Sequence, residues 1–105
     1  MAPIERSGES VAIPTFAITA PAEGSSLSDG AIVFSWEAPE GASSYELMVT
    51  TEVGDVVWSE RTRETTSALP DSIALDPGVH FWVVDALLER GREATTGVHS
   101  FTIAR

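Results

Sequence analysis

Two histidines, His80 and His99, are the side chains in this sequence with the clearest capacity for acid–base chemistry or metal binding. They fall in the last two apolar stretches and could pair across neighbouring strands. A zinc site needs three or four ligands, and nothing nearby completes such a set. The Gly-x-Ser-x-Gly sequence of a serine nucleophile elbow is absent. We therefore interpret both histidines as partly exposed strand residues and predict no catalytic residue and no metal ligand.

Calcium and phosphate sites have sequence signatures that this chain lacks. Calcium needs several oxygens that converge from one loop, as in an Asp-x-Asp-x-Asp-Gly run. The nearest substitutes are "TEVGD" at 51–55 and "ALPDSIALD" at 68–76, and neither has that spacing. No glycine-rich phosphate loop is present. The sequence therefore predicts no cofactor.

Three residues are the candidates for contact with a partner: Trp58, Arg90 and Arg92. Trp58 lies in "DVVWSERT", and if Val57 faces inward, Trp58 faces outward. An exposed tryptophan can stack on a sugar ring or anchor a protein partner. The other interpretation is that Trp58 covers the edge of the core.

The arginines also allow two interpretations. Either they form one positive spot on an acidic body, or they are neutralised as solvated ion pairs with neighbouring glutamates. The arginines concerned are Arg61, Arg63, Arg90 and Arg92, and the glutamates are Glu60, Glu64, Glu89 and Glu93.

The composition narrows the classes of partner. The net charge is −10, from 16 acidic and 6 basic residues among 105. Nucleic acids and anionic membrane surfaces both require clustered Lys and Arg, so neither is an expected partner. With no cysteine, the chain has no disulfide and no thiolate metal site. Lys, Asn and Gln are also absent, a bias that is typical of a GC-rich bacterial genome.

The first residues, "MAPIERSGES", carry charge and no apolar run, so they do not form a signal peptide. No window holds the roughly 18 apolar residues that a membrane span needs. We expect residues 1–14 to be a linker or tail that could add an extra strand through "VAIPTFAIT", and residues 15–105 to be one domain. Either the protein is cytosolic, or this is a piece of a longer exported chain.

Turn signals recur every 8 to 12 residues, and between them apolar and polar residues alternate. Both features predict short strands with one buried face. We predict strands at 15–19, 31–37, 44–51, 55–62, 66–69, 80–88 and 98–104. Seven strands need two stacked sheets to cover their apolar faces, so the predicted fold is an all-β antiparallel sandwich. A small sandwich seldom has the cleft that a pair of catalytic carboxylates requires.

The stretch "LDPGVHFWVVDA" at 75–86 fixes one register. Asp85 is the one charged residue in the apolar run that follows His80, and burying it unpaired would be costly. We therefore expect Asp85, Phe81 and Val83 to face solvent. The predicted core is Ile32, Phe34, Trp36, Tyr45, Leu47, Val49, Leu69, Leu75, Trp82, Val84, Phe101 and Ile103, with Ala86 also facing inward.

Several of these residues, in order, resemble a fibronectin type III domain of the bacterial kind, an immunoglobulin-like β-sandwich. The residues that carry the resemblance are Pro21, Gly24, Phe34, Trp36, Gly41, Ala42, Tyr45, Leu47, Val49, Leu75, Pro77, Gly78, Val84 and Ala86. Phe81 stands where the family has its corner tyrosine, with the register after Pro77 shifted by one. Arg90-Gly91-Arg92 replaces the Arg-Gly-Asp of some animal members, so integrin binding is not expected.

The resemblance implies a non-catalytic spacer or protein-interaction module of an exported or membrane-anchored bacterial protein, hence a periplasmic or extracellular place. One alternative is self-assembly, in which "SVAIPTFAIT" at 10–19 adds to a neighbour's sheet edge. The other is carbohydrate binding through an exposed Trp58. We expect a protein partner or self-association, no nucleic acid and no membrane insertion, while a glycan stays an alternative.

Overall fold

The computed structural model of the chain describes residues 14–28 and 32–104. Short strands with alternating burial account for most of them, as the period-two pattern predicts. The strands are β1 (Ile18–Ala20), β2 (Ser25–Leu27), β3 (Val33–Trp36), β4 (Ala42–Thr51), β5 (Val56–Thr62), β6 (Thr66–Ala68), β7 (Gly78–Leu88), β8 (Glu93–Thr95) and β9 (His99–Ile103). A single 3₁₀ turn at Glu89–Gly91 separates β7 from β8 in the described part of the chain.

The strands form two sheets. The smaller sheet has the order β1-β3-β6, and the larger has the order β2-β9-β7-β4-β5, with β8 also paired to β7. The prediction of a two-sheet, all-β sandwich is confirmed. Two pairings depart from the antiparallel expectation, because β2 runs parallel to β9 and an isolated bridge between Thr15 and Thr95 is also parallel.

Each predicted strand has a counterpart, and two short strands, β2 and β8, were not predicted. The sequence of β2, "SSL", has a single apolar residue, Leu27, and that of β8, "EAT", has only Ala94. One apolar residue is too few to show an alternation of apolar and polar residues. The predicted last strand at 98–104 corresponds to β9 alone. β8 ends at Thr95 and β9 begins at His99, so these two strands lie one after the other along the same side of β7.

The core lies between the sheets, and all twelve predicted core side chains are buried. Phe34 is at its centre, with its ring centroid 5.0 Å from that of Trp82 and 5.9 Å from that of Phe101. Trp36 meets Tyr45 edge to face at 5.5 Å. The predicted register of β7 is also confirmed, because Trp82, Val84 and Ala86 are buried while Asp85 is exposed.

Residues 14–20 pair with both sheets of their own chain. The carbonyl of Pro14 accepts a hydrogen bond from Thr95, and the N–H of Phe16 donates to Thr95. Next, Ile18 pairs with Trp36 in the smaller sheet. The segment from Pro14 onward thus pairs within its own chain, and self-assembly through this segment stays a prediction. The rest of the predicted tail and of the predicted assembly strand, residues 1–13, lies outside the described residues.

Candidate functional site

The solvent-facing side of the larger sheet, here called the outer face, is formed by residues that alternate with the core positions of β4, β5 and β7. In one row across the strands, Val56 pairs with Thr50, and Thr50 with Phe81. In the next row, Met48 pairs with Val83. On β5 the second row continues with Ser59. Apart from Thr50 and Ser59, the side chains of these rows on β4, β5 and β7 are apolar, so one half of the outer face presents apolar side chains to solvent.

The other half of the outer face is acidic. Glu46 is two residues from Met48 on β4, and Asp85 is two residues from Val83 on β7. Glu46 and Asp85 lie directly opposite each other. Glu46 also pairs with Arg61 on β5, and the Arg61 guanidinium lies 3.7 Å from the Glu46 carboxylate. Glu93, opposite Leu87, completes this half. These charged residues border a shallow hollow of about 240 Å³, here called the acidic hollow.

Trp58 does not face away from the core. A β-bulge between the Val49 and Thr50 positions makes Val57 an extra residue, and Trp58 then pairs with the fully buried Val49. Trp58 is half-buried, packs against the core, and has its ring centroid 6.2 Å from that of Phe34. The outward orientation was therefore wrong, and the interpretation that Trp58 covers the core edge is confirmed. The role of Trp58 in binding stays a prediction.

The arginines do not share one positive spot. Arg61 lies on the outer face beside Glu46 and not beside Glu60, whose carboxylate accepts a hydrogen bond from Ser67. Arg90 and Arg92 instead lie in the turn between β7 and β8, where they border a separate hollow with Glu40 and Glu89. Both are exposed, and contact with a partner through them stays a prediction.

The turn that carries Arg90 is held by the β3–β4 connection. Arg90 has a left-handed backbone with φ of 64°. The N–H of Glu89 donates to the carbonyl of Gly41 at 3.1 Å. A β-carbon at Gly41, where φ is 83°, would come within 2.9 Å of the Glu89 carboxylate. Glycine at position 41 therefore allows this close approach between the two turns.

The two histidines differ from each other, because His99 is partly exposed as expected and His80 is not. His80 is buried, stacks on Phe101 with centroids 5.7 Å apart, and has Nδ1 3.2 Å from the carbonyl oxygen of Gly78. The prediction of partial exposure was thus wrong for His80, because its even position on β7 faces the core. Phe81 has an odd position on β7 and lies on the outer face, and its place as the counterpart of the corner tyrosine stays a prediction. His99 is half-buried opposite Trp82, so the histidines are not a cross-strand pair.

A cluster around Glu23 was not predicted. Its carboxylate lies 2.8 Å from Nδ1 of His99 and accepts from the hydroxyl of Ser100 at 2.7 Å and from the Ser100 N–H at 3.3 Å. The Ser100 hydroxyl, then His99, hold the pKa of Glu23 below its ordinary value of 4.5. Nε2 of His99 lies 2.9 Å from the carbonyl oxygen of Thr96. The cluster joins the connection before β2 to the start of β9.

The described residues form neither a metal-binding cluster nor a membrane-spanning helix. No group of three or more His, Asp or Glu residues is placed to hold a metal ion within 14–28 and 32–104. In the same residues, no helix has the length and apolar character needed to cross a membrane.

Comparison with known proteins shows the fold. No protein-family model and no curated protein sequence matches this chain. Solved structures similar to it include the following two. The fibronectin(III)-like modules of CbhA from Clostridium thermocellum superpose with a TM-score of 0.62 at 18% identity, covering 85% of this chain and 94% of theirs. CopC from Methylosinus trichosporium OB3b gives a TM-score of 0.60 at 14% identity, covering 84% of this chain and 92% of its own.

These similarities agree with the sheet order, the inward-facing aromatic core and the resemblance seen in the sequence. The chain therefore has the fibronectin type III-like, immunoglobulin-like β-sandwich fold.

Proposed function

We propose that this chain is a non-catalytic β-sandwich module that binds a protein partner, as part of an exported or membrane-anchored bacterial protein. The observation that carries the proposal is the outer face. It has an apolar half and an acidic half, and no described element lies over it. Exposed apolar surface rimmed by polar residues is typical of protein-interaction sites.

The fold likeness supports the same class of function. A solved structure with this fold is a fibronectin(III)-like module, and the residues that resemble that family run through β3, β4 and β7. Spacer and interaction modules of exported bacterial proteins are what the resemblance implies. The periplasmic or extracellular place is part of this proposal and is supported by the resemblance alone.

A library experiment tests whether the module binds polypeptides. The full chain would be immobilised and panned against a random peptide library, with an unloaded support and an unrelated acidic protein as controls. The proposal expects enriched peptides that bind saturably, with one site per chain, and that compete with one another. Enrichment no greater than on the acidic control would contradict the proposal.

A further inference from the structure

We propose that the outer face binds a polypeptide segment in which Arg or Lys side chains alternate with apolar ones on one side. This inference rests on the proposed function and adds the binding surface and the chemistry of its partner. Apolar side chains of the segment would cover the rows around Val83, and its cations would lie over the acidic hollow.

The apolar half has surface that the domain does not bury. Strands with one solvated face usually place polar residues on it, but β7 has Val79, Phe81 and Val83 at consecutive outward positions. Together with Met48, these side chains are partly exposed and lie outside the group that packs against the core. Val56, at the end of the first row, is 55% exposed. A strand that is apolar on both faces indicates that both faces meet a partner.

The acidic half determines which partner fits. Glu46 and Asp85 are like charges directly opposite each other in the ladder, an arrangement that destabilises a sheet. Among the described residues, Arg61 is the one cation that lines the acidic hollow. Both partners of its ion pair with Glu46 are exposed, so the pair offsets little of the repulsion between Glu46 and Asp85. With Glu93, the described lining has three carboxylates and one guanidinium. An incoming Arg or Lys would relieve the repulsion between Glu46 and Asp85.

The spacing of the two halves matches an extended segment. The Met48–Val83 row and the Glu46–Asp85 row are two residues apart along the strands, which is about 6.6 Å. Side chains two residues apart on an extended peptide have the same separation and point to the same side. One such peptide can therefore place a cation over the hollow and an apolar group over the neighbouring row.

Charge argues against three other occupants of the outer face: a second copy of the chain, nucleic acid and anionic lipid. The chain has a net charge of −10, so a second copy would bring its own carboxylates to the same face. Nucleic acid and anionic lipid are repelled for the same reason. A cationic partner would be attracted, and its association should weaken as salt is added.

A titration with a defined probe tests the inference. The probe is a capped peptide that repeats Arg-Thr-Val-Thr, and the controls are the same peptide with Glu for Arg and with Ser for Val. The full chain would be labelled with ¹⁵N and its amide shifts followed. We expect the probe to shift amides of β4 and β7 and to bind at least about tenfold more tightly than either control.

Matched variants locate the site. Val83→Thr keeps a β-branched side chain and should weaken probe binding about three- to tenfold, whereas Val33→Thr on the smaller sheet should not. Asp85→Asn should weaken it by a similar factor, whereas Asp71→Asn should not. Equal binding of the Glu peptide, or equal effects of the variant and its control, would overturn the inference. Shifts at the same amides on raising the protein concentration alone would overturn it in favour of a second copy.

The two proposals can fail separately. If library peptides bind the chain but lack Arg and Lys, or shift amides elsewhere, this inference fails and the proposed function stands. If neither the library nor the probe yields saturable binding, both fail.

Discussion

The hydroxyl of Thr96 accepts a hydrogen bond from the backbone N–H of Val84 at 2.9 Å, in the short connection between β8 and β9. The same hydroxyl donates to the carbonyl of Gly97 at 2.8 Å. Thr96 also donates its own N–H to the carbonyl of Val84 at 2.9 Å. The buried side chain of Thr96 thus replaces a ladder hydrogen bond that β7 lacks between its pairings with β8 and β9.

Thr96→Val should therefore destabilise the domain. The substitution keeps the shape of the side chain but leaves the buried N–H of Val84 without an acceptor, at a cost of about 1–3 kcal/mol. Thr96→Ser keeps the hydroxyl and should cost less, about 0.8 kcal/mol for the missing methyl. Urea unfolding of the three proteins measures the difference. A valine variant as stable as the parent would contradict the role given to this hydroxyl.

The Glu23 cluster should make stability depend on pH. The pKa of Glu23 is lower in the folded chain than its ordinary value of 4.5, because Ser100 and His99 bond its ionised form. The stabilisation is therefore fully present above about pH 4.5 and is lost as the pH falls through the lower folded-state value. The free energy of unfolding of Glu23→Gln should fall furthest below that of the parent near neutral pH, and this gap should narrow in acid.

The matched variant for this cluster is Ser100→Ala, which removes the hydroxyl that donates to Glu23. This variant should show part of the pH-dependent loss of stability that Glu23→Gln shows, although the Glu23 carboxylate is still present. Denaturant unfolding from pH 7 down to pH 2 checks both variants. A gap between Glu23→Gln and the parent that stays constant over this range would show that the carboxylate is not bound as described.

Trp58→Ala should lower stability because its ring packs on Phe34. Truncating a half-buried tryptophan should lower the free energy of unfolding by roughly 1–3 kcal/mol, because apolar burial is lost. Val56→Ala, on the same strand but 55% exposed, is the control and should cost less. Denaturant unfolding measures both. Loss of glycan binding in Trp58→Ala with unchanged stability would support the carbohydrate alternative and contradict the structural role.

Trp36→Ala should cost about 3–5 kcal/mol, because Trp36 is 3% exposed between Ile18 and Tyr45. That is a large share of the roughly 5–15 kcal/mol typical of a small domain, so the variant is expected to be largely unfolded on heating to 37 °C. Val53→Ala, at a position 83% exposed, should change stability by less than about 0.5 kcal/mol. Thermal melts followed by circular dichroism compare them, and equal melting temperatures would refute the core assignment.

Features that depend on local alternation were predictable from the sequence. The outward position of Asp85 and the inward positions of Trp82 and Val84 follow from one charged residue in an apolar run. The same alternation placed Phe81 and Val83 on the solvent side. The outward positions of β7 on the outer face were therefore predicted. The residues of β4 and β5 that lie beside them were not, because the register between strands is set by turns and bulges.

The errors come from non-local or irregular structure. Trp58 was misplaced because a single bulged residue reverses the side that it faces, and a bulge has no sequence signal here. The Glu23 cluster joins residues 76 positions apart through a parallel pairing of β2 with β9. The error at His80 is of another kind. We predicted partial exposure because the side chain is polar, but His80 alternates in step with the buried Trp82 and Val84 and faces the core.

If the outer face is open in a single chain and binds a partner of another kind, the chain should not associate with itself. Light scattering of the full chain over a range of concentrations measures its solution mass. We expect a monomer of 11.2 kDa at every concentration. A stable dimer that Val83→Thr dissociates and Val33→Thr does not would show instead that a second copy covers the outer face.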